Sequence, residues 1–259
     1  MSSYFQFDVG GSTPIAVNVP DRMALAETVR ARMRGSQGFA LATINLDHLV
    51  KLRASETFRQ AYSAQDLVVA DGNPIVWLSH MANRPVALAP GSDLVVPLAR
   101  IAAEQGVPVA LLGATAPVLA AAAAALRARV PGLEIAAELA PSQNFDPHGA
   151  EADAFLAELG RSGAGLTLLA LGAPRQETFA ARGRQVLPHM GFVSIGAGLD
   201  FLAGSQTRAP RWVRRLALEW LWRVLSSPRR LAGRYLKCAL ILPRLAVMAL
   251  RQRRAGADS

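Results

Sequence analysis

The sequence predicts an α/β fold, a mainly parallel sheet with helices on both faces, followed by a basic helical tail. Three observations predict it. Apolar, β-branched runs of strand length alternate with segments of helical length, and strands joined by crossover helices form parallel sheets covered on both sides. Hydrophobic residues at 51% against 18% charged give a chain with material for a core, unlike a disordered one. The positive charge is also segregated: residues 208–259 hold 13 of the 28 Lys+Arg and only two acids, Glu219 and Asp258. That stretch carries +11, and the 207 residues before it carry −2.

The elements follow in order. A helix is expected over 20–34, then a strand at 38–45, GFALATIN. Residues 46–63 read as a broken helix leading to the strand DLVVADG, 66–72. Helices at 74–82 and 92–105 come next; Pro74 suits a first helical turn, and Ser92 or Asp93 can cap the second. The strand VPVALLG, 107–113, precedes a helix at 115–129 whose alanines need only helix propensity to explain them. A strand at 133–139, a helix at 149–161, the strand GLTLLALG at 165–172, a helix at 174–187 and the strand GFVSIGAG at 191–198 complete the series. Charge and aromatic content change together near residue 205, so residues 1–205 are expected to be a near-neutral core that catalyses or binds, and 206–259 an amphipathic helical appendage.

In that appendage Trp212, Trp220, Trp222 and Tyr235 interleave with the arginines, and apolar runs cover 239–242 and 245–250. Rings at headgroup depth and cations on lipid phosphates are what an anionic membrane surface attracts. No stretch reaches the ~18 uninterrupted apolar residues of a spanning helix, because Lys237, Pro243 and Arg244 interrupt 236–250. The tail is therefore expected to lie on the membrane. Its bulky aliphatics at helical spacing argue against a solvated nucleic-acid-binding face, and no nucleic-acid partner is expected. The N-terminus lacks the basic and apolar regions of a secretion signal, and a single cysteine, Cys238, suits a reducing compartment. The expected location is the cytoplasmic face of the cell membrane, held peripherally. Association into a homo-oligomer is left open.

Ligands of parallel sheets bind beyond the strands' carboxyl ends, and five loops there are polar or glycine-rich. Thr43 and Asn45 close the first, where a helix cap by Asn45 or Asp47 competes with a role in holding sugar hydroxyls. Asp71-Gly72-Asn73-Pro74 reads equally as a turn or as a rigidly held general base. Gly91-Ser92-Asp93 opens a helix whose N–H groups can meet an anion. Gly113 ends a strand-to-helix turn without the spacing of a dinucleotide fingerprint. The most specific is Gly172-Ala173-Pro174-Arg175-Gln176-Glu177, followed by Gly196-Ala197-Gly198-Leu199-Asp200 and Arg208-Ala209-Pro210.

With Glu219-Trp220-Leu221-Trp222-Arg223, Pro228-Arg229-Arg230 and Arg234-Tyr235, these strings resemble the WecG/TagA/CpsF family of bacterial glycosyltransferases over roughly residues 40–235. The resemblance implies a Rossmann-like core. It also implies transfer of a sugar from a UDP-sugar to a polyprenyl-diphosphate-linked saccharide at the cytoplasmic membrane face, with inversion, in cell-surface or exopolysaccharide synthesis. N-acetylmannosamine and glucose both stand as donor sugars. By position, Asp71 matches the general base, Thr43 and Asn45 its neighbours, and Arg223 a tail arginine that steadies the departing diphosphate. Gln176 and Asp200 match nucleotide-sugar contacts, with Gly113, Gly172, Gly198, Ser92, Arg208 and Arg230 completing the substrate-binding set. One departure is Leu88, where the family commonly carries an arginine; Arg84 is close in sequence.

No Asp-x-Asp pair ends a strand, and His48, His80, His148 and His189 are scattered. No cofactor or metal is expected, since arginines and helix N-termini can hold a leaving diphosphate. Two alternatives stand beside this reading: a non-enzymatic nucleotide-binding membrane scaffold of a polysaccharide assembly complex, which keeps the fold without needing Asp71, and a soluble NAD-linked or nucleotide-sugar-modifying enzyme, which leaves the tail unexplained.

Overall fold

A computed structural model describes residues 4–207 and 228–257, together with Ala209, Pro210, Val213 and Trp222. The chain opens with an antiparallel hairpin, β1 (Phe5–Phe7) and β2 (Ile15–Val17). Three residues per strand are too few to carry a period-2 signal, so the sequence did not announce it. Helix α1 (Arg22–Arg34) starts where the Asp21 carboxylate accepts from the N–H groups of Met23 and Ala24.

Six strands then build one sheet: β3 (Phe39–Ile44), β4 (Leu67–Ala70), β5 (Val109–Gly113), β6 (Ile135–Leu139), β7 (Leu166–Ala170) and β8 (Gly191–Ser194). Their order is β4-β3-β8-β7-β5-β6 and every neighbouring pair is parallel. All carboxyl ends therefore open on one edge. The expected α/β architecture is what forms, and each of the six expected strands is present.

Between strands lie α2 (Leu46–Ala54), α3 (Glu56–Ser63), α4 (Asn73–Met81), α5 (Gly91–Glu104), α6 (Ala116–Arg129), α7 (Ala150–Ser162), α8 (Arg175–Val186) and α9 (Gly198–Ala203). The break expected within 46–63 falls at Ser55, whose hydroxyl caps α3 by accepting from Phe58 N–H. Residues of one strand face opposite sides in turn. Leu41, Val69, Leu111, Leu168 and Val193 pack with Leu25, Leu98, Leu119 and Leu199 of α1, α5, α6 and α9. On the other side, Ala110, Leu112, Leu169 and Phe192 meet α7 and α8, while Ala42, Ile44 and Val68 meet α2, α3, α4 and the hairpin. Burial on both faces is why these strands read as continuous apolar runs.

A thirty-residue helix, α10 (Pro228–Ala257), ends the chain. It packs on α2, α4 and β1, placing Leu245 and Ala249, both essentially inaccessible, in the cluster with Phe5, Ile44 and Leu49. Gln252 exchanges hydrogen bonds with the Gln6 backbone, donating to its carbonyl at 2.6 Å and accepting from its N–H at 3.3 Å. The helix continues through Pro243. A proline removes the bond to the carbonyl four residues earlier; here both Pro243 and Ala239 are exposed, so water can take that carbonyl.

Candidate active site

Asp71 follows β4, and its N–H donates to the Ile44 carbonyl at 2.8 Å, carrying the ladder with β3 one residue past the strand. The carboxylate thus leaves a rigid backbone at the sheet's open edge. Gly72 follows at φ 114°, a region open to glycine, and α4 begins. Across the gap, Asn45 caps α2: its side-chain oxygen accepts from His48 N–H at 3.0 Å. Its amide nitrogen faces the Asp71 carboxylate at 3.5 Å. The cap that the sequence offers for Asn45 is thus present, and the other end of the same amide is left to face Asp71. Thr43 sits two residues back, 3% exposed and paired with Val69.

Beneath this pair lies a buried polar cluster. His48 shares a hydrogen bond of 3.1 Å with the Tyr62 hydroxyl and packs edge-on against Phe58 and Tyr62. Burial, then the Lys51 charge, pushes its pKa down to about 3, so it is a neutral packing residue. Burial also pushes the Tyr62 phenol well up, with Glu177 and Asp71 adding in that order. Glu177 is wholly buried; that burial raises its pKa to about 7, against the hydrogen bond from Gln176.

The loop after β7 contains Gly172, at φ 71°, and a cis Ala173–Pro174 bond, and it leads into α8. The space where a Gly172 side chain would stand is open. Gln176 is 2% exposed. Its amide nitrogen donates to Glu177 at 2.8 Å and its oxygen accepts from Gly196 N–H at 3.2 Å, tying the β7 loop to the β8 loop. Asp200 lies in the first turn of α9 and accepts from the Ser205 hydroxyl at 3.1 Å. Gly113 and Gly198 have packing reasons: a side chain would overlap the Ala170 carbonyl at the first and stand 2.7 Å from Val95 at the second. Neither Ser92 nor Asp93 caps α5 as expected: the helix already begins at Gly91, pressed on β8, with Pro90 at the cap and no side-chain capping bond, so both residues lie in its first turn.

Strand order thus sets Asp71, Asn45, the Gly196–Asp200 loop, Gln176 and Gly113 side by side on one edge. At ~4.8 Å per strand spacing the row spans roughly 19 Å, the length of an extended ligand. Arg208 and Arg223 lie outside the described residues, as does the side chain of Arg230. A cavity of about 160 Å³, bounded by Phe39, Val107, Gly165 and His189, lies at the sheet's other end and has no part in this row.

A model of the glycosyl transferase WecG/TagA/CpsF family matches residues 12–258. The chain belongs to that family. Its activity class is glycosyl transfer, and the match takes in the hairpin's second strand and α10 as well as the sheet.

At Leu88, where the resemblance leads one to expect arginine, the backbone carbonyl accepts from Arg22 Nε at 3.2 Å, and Arg22 also pairs with Asp93 at 3.0 Å. A guanidinium therefore stands at this loop, supplied by α1. Arg84, the sequence's candidate, instead donates to the Tyr4 carbonyl at 2.9 Å. Only a fold that brings residue 22 to residue 88 reveals this. Asp47, which the sequence offers beside Asn45 as a cap, lies instead in the first turn of α2, and Lys51, with no signal beyond its i,i+4 spacing, pairs with it at 2.9 Å and donates to the Ala173 carbonyl at 3.0 Å. Among the described residues no helix is long and apolar enough to span a membrane, and no three His, Cys, Asp or Glu cluster in a way that suits a metal ion.

Proposed function

We propose that this glycosyltransferase moves N-acetylmannosamine or glucose from a UDP-sugar to a polyprenyl-diphosphate-linked saccharide during cell-surface or exopolysaccharide synthesis. The observation that carries the reading is Asp71: a carboxylate at a strand's end, backbone-locked, faced by Asn45, at one end of a row of ligand-sized length. Asp71 takes the proton of the acceptor hydroxyl as that oxygen bonds to the anomeric carbon. The bond from that carbon to UDP breaks, and attack from the opposite side inverts the centre. The Asn45 amide holds the carboxylate in place, and Thr43 shapes the floor beside it. The Gly172 turn, free of a side chain, lets the backbone approach the diphosphate, while Gln176, whose amide oxygen holds the Gly196 N–H, sets the β8 loop beside the nucleotide sugar with Asp200, Ser92 and Arg208 around it. Arg223 and Arg230 neutralise the leaving charge.

The proposed chemistry needs no divalent metal or other cofactor, which is supported by the lack of an Asp-x-Asp pair at any strand end. The proposal places the enzyme peripherally on the cytoplasmic membrane face. Support for docking comes from the outer side of α10, where Leu236, Leu240, Val247 and Leu250 are 61%, 71%, 50% and 43% exposed. Lys237, Arg244, Arg251 and Arg254 are exposed among them, the mixture that lies in a headgroup layer.

A screen of UDP-sugars with a lipid-diphosphate monosaccharide, read by the mass of the product lipid and run with and without EDTA, tests the proposal. A hexose or N-acetylhexosamine mass increment that survives EDTA is expected. Calorimetric binding of NAD without UDP, or no product from any UDP-sugar, overturns it.

A further inference from the structure

The C-terminal helix reaches the β7 loop through three charged side chains. Arg234 of α10 pairs with one oxygen of Asp47 at 3.0 Å. Lys51 pairs with the other at 2.9 Å, and Lys51 in turn donates to the Ala173 carbonyl at 3.0 Å. Asp47 is the well-shielded member, 12% exposed at its side chain, against 45% for Arg234 and 38% for Lys51. The Ala173 carbonyl lies between Gly172, the open turn, and Gln176, which holds Gly196.

We propose that Arg234, Asp47 and Lys51 are positioning residues, through which α10 sets the conformation of the Gly172–Gln176 loop. Each partner has a reason to be where it is. Asp47 lies in the first turn of α2, where a negative charge is favoured. Lys51, one turn on, is held over the loop by that carboxylate. Without Arg234, Asp47 keeps only one cation, and Lys51 can follow it away from Ala173. Without Asp47, two cations face each other with nothing between. A shielded carboxylate shared by two bases is coupled more strongly than an exposed ion pair. The relay thus makes the loop's geometry depend on the seating of α10. Its consequence for transfer rests on the function proposed above; the coupling itself does not.

Hydrogen exchange of the peptide covering residues 171–176 in the full-length protein tests it without any substrate. Arg234→Met, Asp47→Asn and Lys51→Met should each raise exchange there several-fold, while exchange in β5 and α6 stays as in the unaltered chain. Arg234→Lys should restore the slow rate. The double variant Arg234→Met with Lys51→Met should exchange no faster than Lys51→Met alone, because both act on one path. Unchanged exchange in Arg234→Met, additive effects in the double variant, or a rise spread equally over β5 and α6 each overturns the relay. Transfer assays on the same proteins separate the two claims: faster loop exchange without any transferase activity in the unaltered chain keeps the relay and removes the function.

Discussion

The Asn45 side chain points two ways, its oxygen capping α2 and its nitrogen facing Asp71. Two substitutions separate the roles. Asn45→Ala loses both, and should cost about 1 kcal/mol in denaturant stability from the cap along with a fall in turnover. Asn45→Asp keeps a capping oxygen but sets a second negative charge beside Asp71. A like charge disfavours ionisation, so the acid limb of the pH–rate profile should move to higher pH while stability stays close to that of the unaltered chain. A rate profile that does not move would separate Asp71 from the proton transfer. Buried below, His48 and Glu177 oppose one another. His48 goes from 6.5 unfolded to about 3 folded, so the unfolded chain binds the extra proton and this contribution is lost as pH falls through that window. Glu177 goes from 4.5 to about 7, so the folded chain holds the proton and stability is lost as pH rises through its window. The two slopes cancel where the windows overlap. Glu177→Gln should therefore unmask a stability that climbs with pH across that overlap, by up to about 3 kcal/mol relative to the unaltered chain, seen as denaturant midpoints measured against pH.

Element by element, the strands were legible because burial on both faces writes long apolar runs, and the start of α2 because Asn45 is a capping residue; Asp21 and Ser55 cap α1 and α3 without having been singled out in the sequence. What escaped was short or tertiary. The three-residue strands of the hairpin and the six-residue α9 are too short to repeat their pattern twice. Gly113 and Gly198 match substrate-binding positions by resemblance, and the fold adds a packing reason at each that the sequence did not show. The side of α10 that faces the core was hidden by its arginines, since only a partner surface distinguishes the Leu245 side from the Leu240 side. Those sides should respond differently. Leu245→Ala should cost on the order of 2–5 kcal/mol in unfolding free energy. Leu236→Ser with Leu240→Ser should leave the unfolding midpoint alone and lower sedimentation with anionic vesicles several-fold. If the pair leaves vesicle binding unchanged, the outer stripe is not the docking face.

For the molecule as a whole, topology turns five separate loops into one edge, which neither Asp71 nor Gln176 could announce alone. The sequence placed both at strand ends; that β3 and β8 are neighbours, bringing their loops together, required the sheet order. The −2 core and +11 tail marked a boundary near residue 205, and across it α10 returns to pack on α2, α4 and β1. The central claim is that this edge performs glycosyl transfer with Asp71 as base. Its most direct test compares Asp71→Asn with the unaltered chain at saturating UDP-sugar and lipid-linked acceptor, with UDP binding measured in parallel. The account predicts unchanged UDP binding and turnover lower by roughly 10²–10⁴. Turnover within a few-fold of the unaltered chain would contradict it.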